Sequence, residues 1–250
     1  VLIKSLSKSE KRQFKLYVGR LGVNTDSKFL SLFNILEKQK EYDEKQILDS
    51  GVVKKSQLSN LKAHLYKQLL VSLRLNPAVQ NTRIQIREQL DFATILYQKG
   101  LYRQSLKILD KAKSIALEQE EKNMAFEIVE FEKHIETQFI TRSIPRRAEE
   151  LVQQTTRLSE LNHLTSTLSN LSINLYGMML KVGYVRSDQD LKRVQDYFER
   201  HLPVFDVNDM DFREKLWWYK THLWYSFLTQ DFKSCYKFRF FLNHFFLLSI

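Results

Sequence analysis

Four turns recur about 43 residues apart in the last two-thirds of this chain: at Gly100, at Ser143, around Gly183 to Arg186, and at Gln230-Asp231. Each lies between two segments whose apolar residues repeat with a helical period. A fixed spacing of this size reads as one supersecondary unit used again and again, here a pair of antiparallel helices. Units of that kind stack, and a stack offers extended surfaces rather than one enclosed reaction centre. Composition points the same way. Only 6 Gly and 3 Pro occur in 250 residues, too few for the turns of a many-stranded β protein. Long Leu/Lys/Glu/Gln-rich stretches favour helix. An apolar fraction of 43%, with 12% aromatic residues, is enough to build a core.

The clearest unit is Leu90 to Leu117. Two antiparallel helices approach closely only where a side chain is small, and Ala93, Ser105 and Ala112 are spaced to let the ridges interlock. Gly100 can take the left-handed conformation that ends the first helix. With Leu96, Tyr102 and Leu109 these residues stand at tetratricopeptide spacing, and residues 84–117 resemble a tetratricopeptide repeat. That family's usual Pro after the second helix is replaced by Leu117, so this helix is expected to run on. Later units match more loosely. The second keeps Ile135, Phe139, Ala148, Val152 and Thr155, with Pro145 opening its second helix at a favoured first-turn position. The third keeps Leu175, Met179 and Gly183, after which Ser187 and Asp190 cap a helix that Pro203 follows. The fourth keeps Leu223, Phe227, Asp231, Phe232 and Cys235. The chain as a whole resembles bacterial proteins of this repeat type, which implies no activity. The resemblance implies an all-α fold: a tetratricopeptide-like right-handed α-α solenoid over residues 81–250, preceded by a basic helical bundle over residues 1–80. Further repeats are expected beyond Ile250.

Of the 31 aromatic residues, 15 fall within residues 205–246, including all three Trp. They make either a bulky core between units or an aromatic-lined groove for a peptide or helix. Trp217 and Trp224 are spaced i, i+7, on the side that the family alignment turns to the groove. Leu90 and Tyr97 take equivalent places in the first unit. Arg87, Lys133 and Lys220 would add positive charge to the same face and favour an acidic partner.

Residues 1–75 carry 15 Lys+Arg against 7 Asp+Glu, most of the formal +10 of the whole chain. Ser7 and Glu10 form a capping box. Phe29, Leu32, Phe33 and Leu36 give the next helix one buried stripe. A short helix from Glu44 to Asp49 closes at Gly51, and Ser56 is expected to cap a long helix ending at Asn76-Pro77. Residues 44–75 resemble a helix-turn-helix. Lys54, Lys55, Gln57, Asn60 and Lys62 are of the types that reach phosphates and base edges, although a solvated face of any helical bundle reads the same way.

Chemistry-bearing motifs are missing. The six His are scattered, with no zinc spacing, and no Gly-rich loop is followed by Lys-Ser/Thr. The single cysteine, Cys235, excludes an intrachain disulfide and stands where the repeat wants a small buried residue. Glu118, Glu120 and Glu121 read as a wet helix face. No catalytic, cofactor or metal residue is nominated and no membrane segment is found. The expectation is a cytoplasmic, non-enzymatic scaffold or regulator that holds a protein or peptide. Nucleic-acid binding through the basic bundle is the alternative, and homo-oligomerisation through the C-terminal end is left open.

Overall fold

Helices are the only regular elements among the described residues, which are 2–20, 26–76, 81–139 and 145–247 of the computed structural model. The chain divides into two units, residues 1–85 and 86–250.

The first unit holds α1 (Leu2–Ser5), α2 (Lys8–Val18), α3 (Asp26–Lys38), α4 (Glu44–Asp49) and α5 (Lys55–Arg74). The capping box at the start of α2 is complete: the Glu10 amide donates to the Ser7 hydroxyl at 3.2 Å, and the Ser7 amide donates to the Glu10 carboxylate at 2.6 Å. Both orphan amides are thereby satisfied. Phe14, Phe29, Leu32, Phe33, Ile47, Leu58, Leu65 and Leu69 form the core. Phe14 and Phe33 meet with ring centroids 4.8 Å apart. The expected cap at Ser56 is not observed. The helix starts earlier, with Lys54 at the cap position and no side-chain bond. Pro77 lies outside the described residues.

The second unit contains most of α6 (Thr82–Gln98), then α7 (Tyr102–Glu118), α8 (Lys122–Phe139), α9 (Pro145–Val182), α10 (Asp188–His201), α11 (Phe212–Leu228) and α12 (Phe232–Leu247). The small residues of α6 and α7 act as their spacing demands. Ala93 and Ala112 are fully buried, and the Ser105 hydroxyl donates to the Ala93 carbonyl at 2.8 Å, which draws α7 onto α6. Three turns close alike. A residue with positive φ (Gly100 at 75°, Glu120 at 52°, Gln230 at 60°) is followed by an amide that bonds back across the helix end: Leu101 to Leu96, Glu121 to Ala116, Asp231 to Ser226. This is the Schellman closure. Glycine makes it without strain, whereas Glu120 and Gln230 hold a conformation that costs an ordinary residue about 1–2 kcal/mol.

Two features depart from the sequence expectation. Helix α7 does not run on but stops at Glu118, at the Glu120 turn. Conversely, α9 is one unbroken helix of 38 residues, where stacked hairpins would need a turn. It joins the expected second helix of one unit to the first helix of the next. The turn expected at Ser143 lies outside the described residues.

The buried leucines of α9 show how one helix replaces two. Leu151 and Leu158 pack with Met124, Ile128 and Val129 of α8. Leu164 and Leu168 pack with Met210 and the tryptophans of α11, and Leu171 and Leu175 with Phe198 of α10 and Leu228 of α11. At roughly 100° per residue, the second set lies about a third of a turn round the helix from the first. The helix therefore buries one face against α8 in its first half and a different face against α10 and α11 in its second.

Candidate functional site

The face of α9 that α8 covers does not end where α8 ends. Asn162 reaches the carbonyl of Lys122, the first residue of α8, at 3.5 Å. Beyond that point the same azimuth of α9 carries Ile173, Tyr176 and Leu180, spaced i, i+3 and i+7, the stripe that an amphipathic helix buries. Here it is exposed: Ile173 by 66%, Tyr176 by 40% and Leu180 by 69%. Aromatic rings of α11 extend the patch. Tyr176 lies 4.7 Å from Trp224, Trp224 lies 6.1 Å from Phe227, and Phe227 lies 5.4 Å from Tyr184, all centroid to centroid. The turn carrying Tyr184 is pinned to α11 by the Val185 amide donating to Leu228 O at 3.1 Å and the Gln230 side chain donating to Val185 O at 2.8 Å. Lys181 and Arg186 are exposed beside it in the chain. An apolar, aromatic surface edged with cations can take an amphipathic helix whose polar rim is acidic.

The residues nominated from sequence fall into separate groups. Trp224 lines the patch and is half-buried. Trp217, also half-buried, leans on the Leu164–Leu168 cluster, with the Lys220 ammonium 4.7 Å above its ring. Each indole contributes to a core and keeps an open edge. Leu90 and Tyr97 belong instead to the cluster of α6, α7 and α8. The Tyr97 hydroxyl meets His134 Nε2 at 3.0 Å, and its ring meets Phe131 edge-on at 5.6 Å. Lys133 pairs with Glu130 at 2.7 Å, and Arg87 is exposed. Spacing could locate Trp224, but Ile173, Tyr176 and Leu180 were missed. A helix-period stripe reads as core whether or not anything covers it.

In the first unit Lys54, Lys55, Gln57 and Asn60 are exposed along the start of α5. Gln57 and Asn60 line a cleft of about 570 Å³ with Lys28 and His64. Lys62 is drawn away from this group. It donates to the Tyr42 hydroxyl at 2.8 Å and pairs with Glu44 at 3.7 Å, and the Tyr42 bond holds its pKa above the ordinary 10.5. A larger apolar groove of about 800 Å³ is lined by Leu2 and Ile3 of α1, Leu36 of α3, and Leu65, Tyr66 and Leu69 of α5.

Two buried ion pairs hold the second unit's helices in register. Lys122 bonds Glu214 at 2.6 Å and Asp211 at 2.7 Å, and the Thr165 hydroxyl donates to the other Glu214 oxygen at 2.7 Å. This joins α8, α9 and α11. Lys113 grips both oxygens of Glu132 at 3.0 and 2.7 Å, and Arg147 approaches at 3.4 Å, joining α7, α8 and α9. Burial pushes the Glu132 carboxyl above its ordinary 4.5, against the pull of Lys113 and Arg147. Such pairs fix geometry more than they stabilise. The expected wet face at the α7–α8 turn is met by Glu118, which is exposed, but not by Glu120 and Glu121. Glu121 meets Arg213 at 3.4 Å, and Glu120 turns a carboxylate oxygen inward. Cys235 is half-buried, not fully buried, and burial raises its thiol above the ordinary 9.0.

No group of three or more metal-ligating side chains occurs among the described residues, and no helix there is long and apolar enough to cross a membrane. No family model, curated protein or solved structure matches the chain.

Breaking the Lys122 pair is expected to be costly. Lys122→Met strands Glu214, which is fully buried, and should destabilise by about 3–5 kcal/mol. Glu214→Leu leaves Lys122 with Asp211 and should cost less. The double variant should recover much of the loss, a coupling of at least about 1 kcal/mol. Urea unfolding of the second unit measures all three, and additive, small effects would contradict the assignment.

Proposed function

We propose that this chain is a non-enzymatic helical-repeat protein, tetratricopeptide-like in its first hairpin, that docks an acidic amphipathic helix of a partner protein. The observation that carries this reading is the exposed stripe Ile173, Tyr176 and Leu180, continuous with Trp224. A helix laid on that stripe would continue the line of α8 along α9 and cover the face that α8 covers further back. Trp224, Phe227 and Tyr184 would supply aromatic anchors, and Lys181, Arg186 and Lys220 the positive rim. In this reading the solenoid is modified: the unbroken α9 serves two successive hairpins, and its second half with α11 forms the floor of the groove.

Selection from a displayed library of helical peptides against the intact chain tests the proposal. Enriched sequences should carry apolar residues at i, i+3 or i+4, and i+7, with acidic flanks. Leu180→Asp leaves the fold intact because the side chain is exposed, and it should weaken the selected peptide about tenfold or more. Unchanged affinity for Leu180→Asp and Ile173→Asp would remove the site.

A second reading is favoured by one observation, the exposure of Lys54, Lys55, Gln57 and Asn60 along the first turns of α5. In it the first unit binds duplex nucleic acid through phosphates. Affinity should fall steeply with salt and drop further on Lys54→Glu/Lys55→Glu. Absence of any mobility shift at low salt would eliminate it.

A further inference from the structure

Helix α12 packs one side on α11 and leaves the other bare. Phe238 and Phe241 meet Tyr219 of α11 with ring centroids 6.4 and 5.3 Å apart, Phe238 lies 5.0 Å from His222, and Leu242 is buried. On the opposite side Phe232, Tyr236 and Phe240 follow one another at i, i+4 and i+8. They fall within about 80° of the helix circumference. All three are exposed, by 58%, 74% and 59%. Phe240 leads on to His244, whose ring lies parallel to its own at 6.3 Å. Large apolar side chains exposed one at a time are ordinary, but a continuous row of aromatic rings marks a surface that meets something apolar.

The charges around the row are of one sign. Lys233 and Lys237 follow it on one flank and Arg239 on the other, and all three are exposed. No acidic residue occurs within α12. Over the whole α11–α12 hairpin, residues 212–247, six Lys and Arg stand against Glu214 and Asp231. Glu214 is fully buried and taken by Lys122. Asp231 caps the start of α12, accepting from the Ser234 amide at 3.1 Å, so it stands at one end of the row rather than along it.

We propose that this side of α12 rests on the surface of an anionic lipid bilayer. Phe232, Tyr236 and Phe240 enter the boundary between headgroups and acyl chains, and Lys233, Lys237 and Arg239 meet the lipid phosphates. Helices that lie in a bilayer surface have this pattern, with aromatic residues on the inserted side and basic residues beside them. Phe and Tyr suit a site that is apolar at one end and wet at the other, and long basic side chains reach back to the headgroups along their methylene stems. A partner helix fits less well. Docked helices lie in grooves, whereas this row runs along the outer side of a single helix, a ridge that a bilayer accepts. A second copy of α12 would set like charges against one another. No helix among the described residues is long and apolar enough to cross a membrane, so the contact proposed is with the surface. The row is separate from the Ile173–Leu180 stripe and does not depend on what binds there.

Flotation of the intact chain with lipid vesicles tests the proposal. One vesicle set is phosphatidylcholine alone, and the other carries about 30 mol% phosphatidylserine. The chain is expected to float with the second set at about 0.1 M salt, to stay behind with the first, and to lose most of its binding at about 0.5 M. Tyr236→Ser/Phe240→Ser should weaken partitioning about tenfold, and Lys237→Glu/Arg239→Glu about tenfold as well. All four side chains are exposed, and an unchanged melting temperature checks that each variant is folded. Binding lost in the charge-reversal variant but kept in Tyr236→Ser/Phe240→Ser would mean adsorption by charge alone and would overturn the proposal. Equal binding to both vesicle sets, or to neither, would overturn it too. So would binding that Leu180→Asp removes and Tyr236→Ser/Phe240→Ser does not, which would place it on α9. Acidic helical peptides that bind through Tyr236 and Phe240, with no vesicle binding, would replace the bilayer with a partner protein.

Discussion

One helix has to satisfy two cores, and the arrangement of the second unit follows from how it does so. The 38 residues of α9 extend roughly 57 Å at the α-helical rise, too far for one neighbour to cover. Its leucines divide the length between partners. Leu151 and Leu158 commit the first half to α8, and Leu164 to Leu175 commit the second half to α10 and α11. Because the second face is rotated from the first, α8 and α11 sit on different sides of the helix. The side that α8 vacates after Asn162 is left bare. The exposed stripe at Ile173, Tyr176 and Leu180 is therefore a consequence of the packing geometry of α9, not an isolated surface feature.

That geometry needs α8 and α11 held at defined heights along α9, and apolar packing alone permits sliding. The buried polar groups remove that freedom. Lys122 meets Glu214 across 92 residues of sequence, Thr165 donates to the same carboxylate, and the Thr221 hydroxyl donates to the Leu168 carbonyl at 3.0 Å. A one-turn slip of α11 would strand a fully buried glutamate. At the other end, Lys113, Glu132 and Arg147 do the same for α7, α8 and the start of α9. Ionic groups in a core contribute little to stability once desolvation is counted, but they are intolerant of misregister.

Sequence reading succeeded where a residue has a local reason for its place. Ser7 with Glu10, Pro145, Gly100, and Ser187 with Asp190 all mark helix ends through backbone chemistry that does not depend on the rest of the fold. It failed where the cause is tertiary. Nothing local marks the turn at Glu120, because a glutamate in a left-handed conformation is held there by its surroundings. The continuity of α9 was hidden by its own two-faced pattern, which reads as two amphipathic helices of different phase and hence as two arms of separate hairpins. The candidate site was half legible. Trp224 stood out by type and spacing, while Tyr176, Ile173 and Leu180 looked like core. Whether an apolar stripe is covered is decided by α8, which stops short.

The open stripe exists only if α9 is one continuous helix from Pro145 to Val182. Electron–electron resonance distances between spin labels at Val152 and Ile173, both exposed, measure this directly. The two sites are separated by 21 residues of helix, which at 1.5 Å per residue gives about 32 Å between backbones. A continuous α9 gives a single narrow distribution near that value. A broad distribution, or one centred near the roughly 10 Å of packed antiparallel helices, would mean that the chain turns back between Val152 and Ile173, and the site built on α9 would not exist.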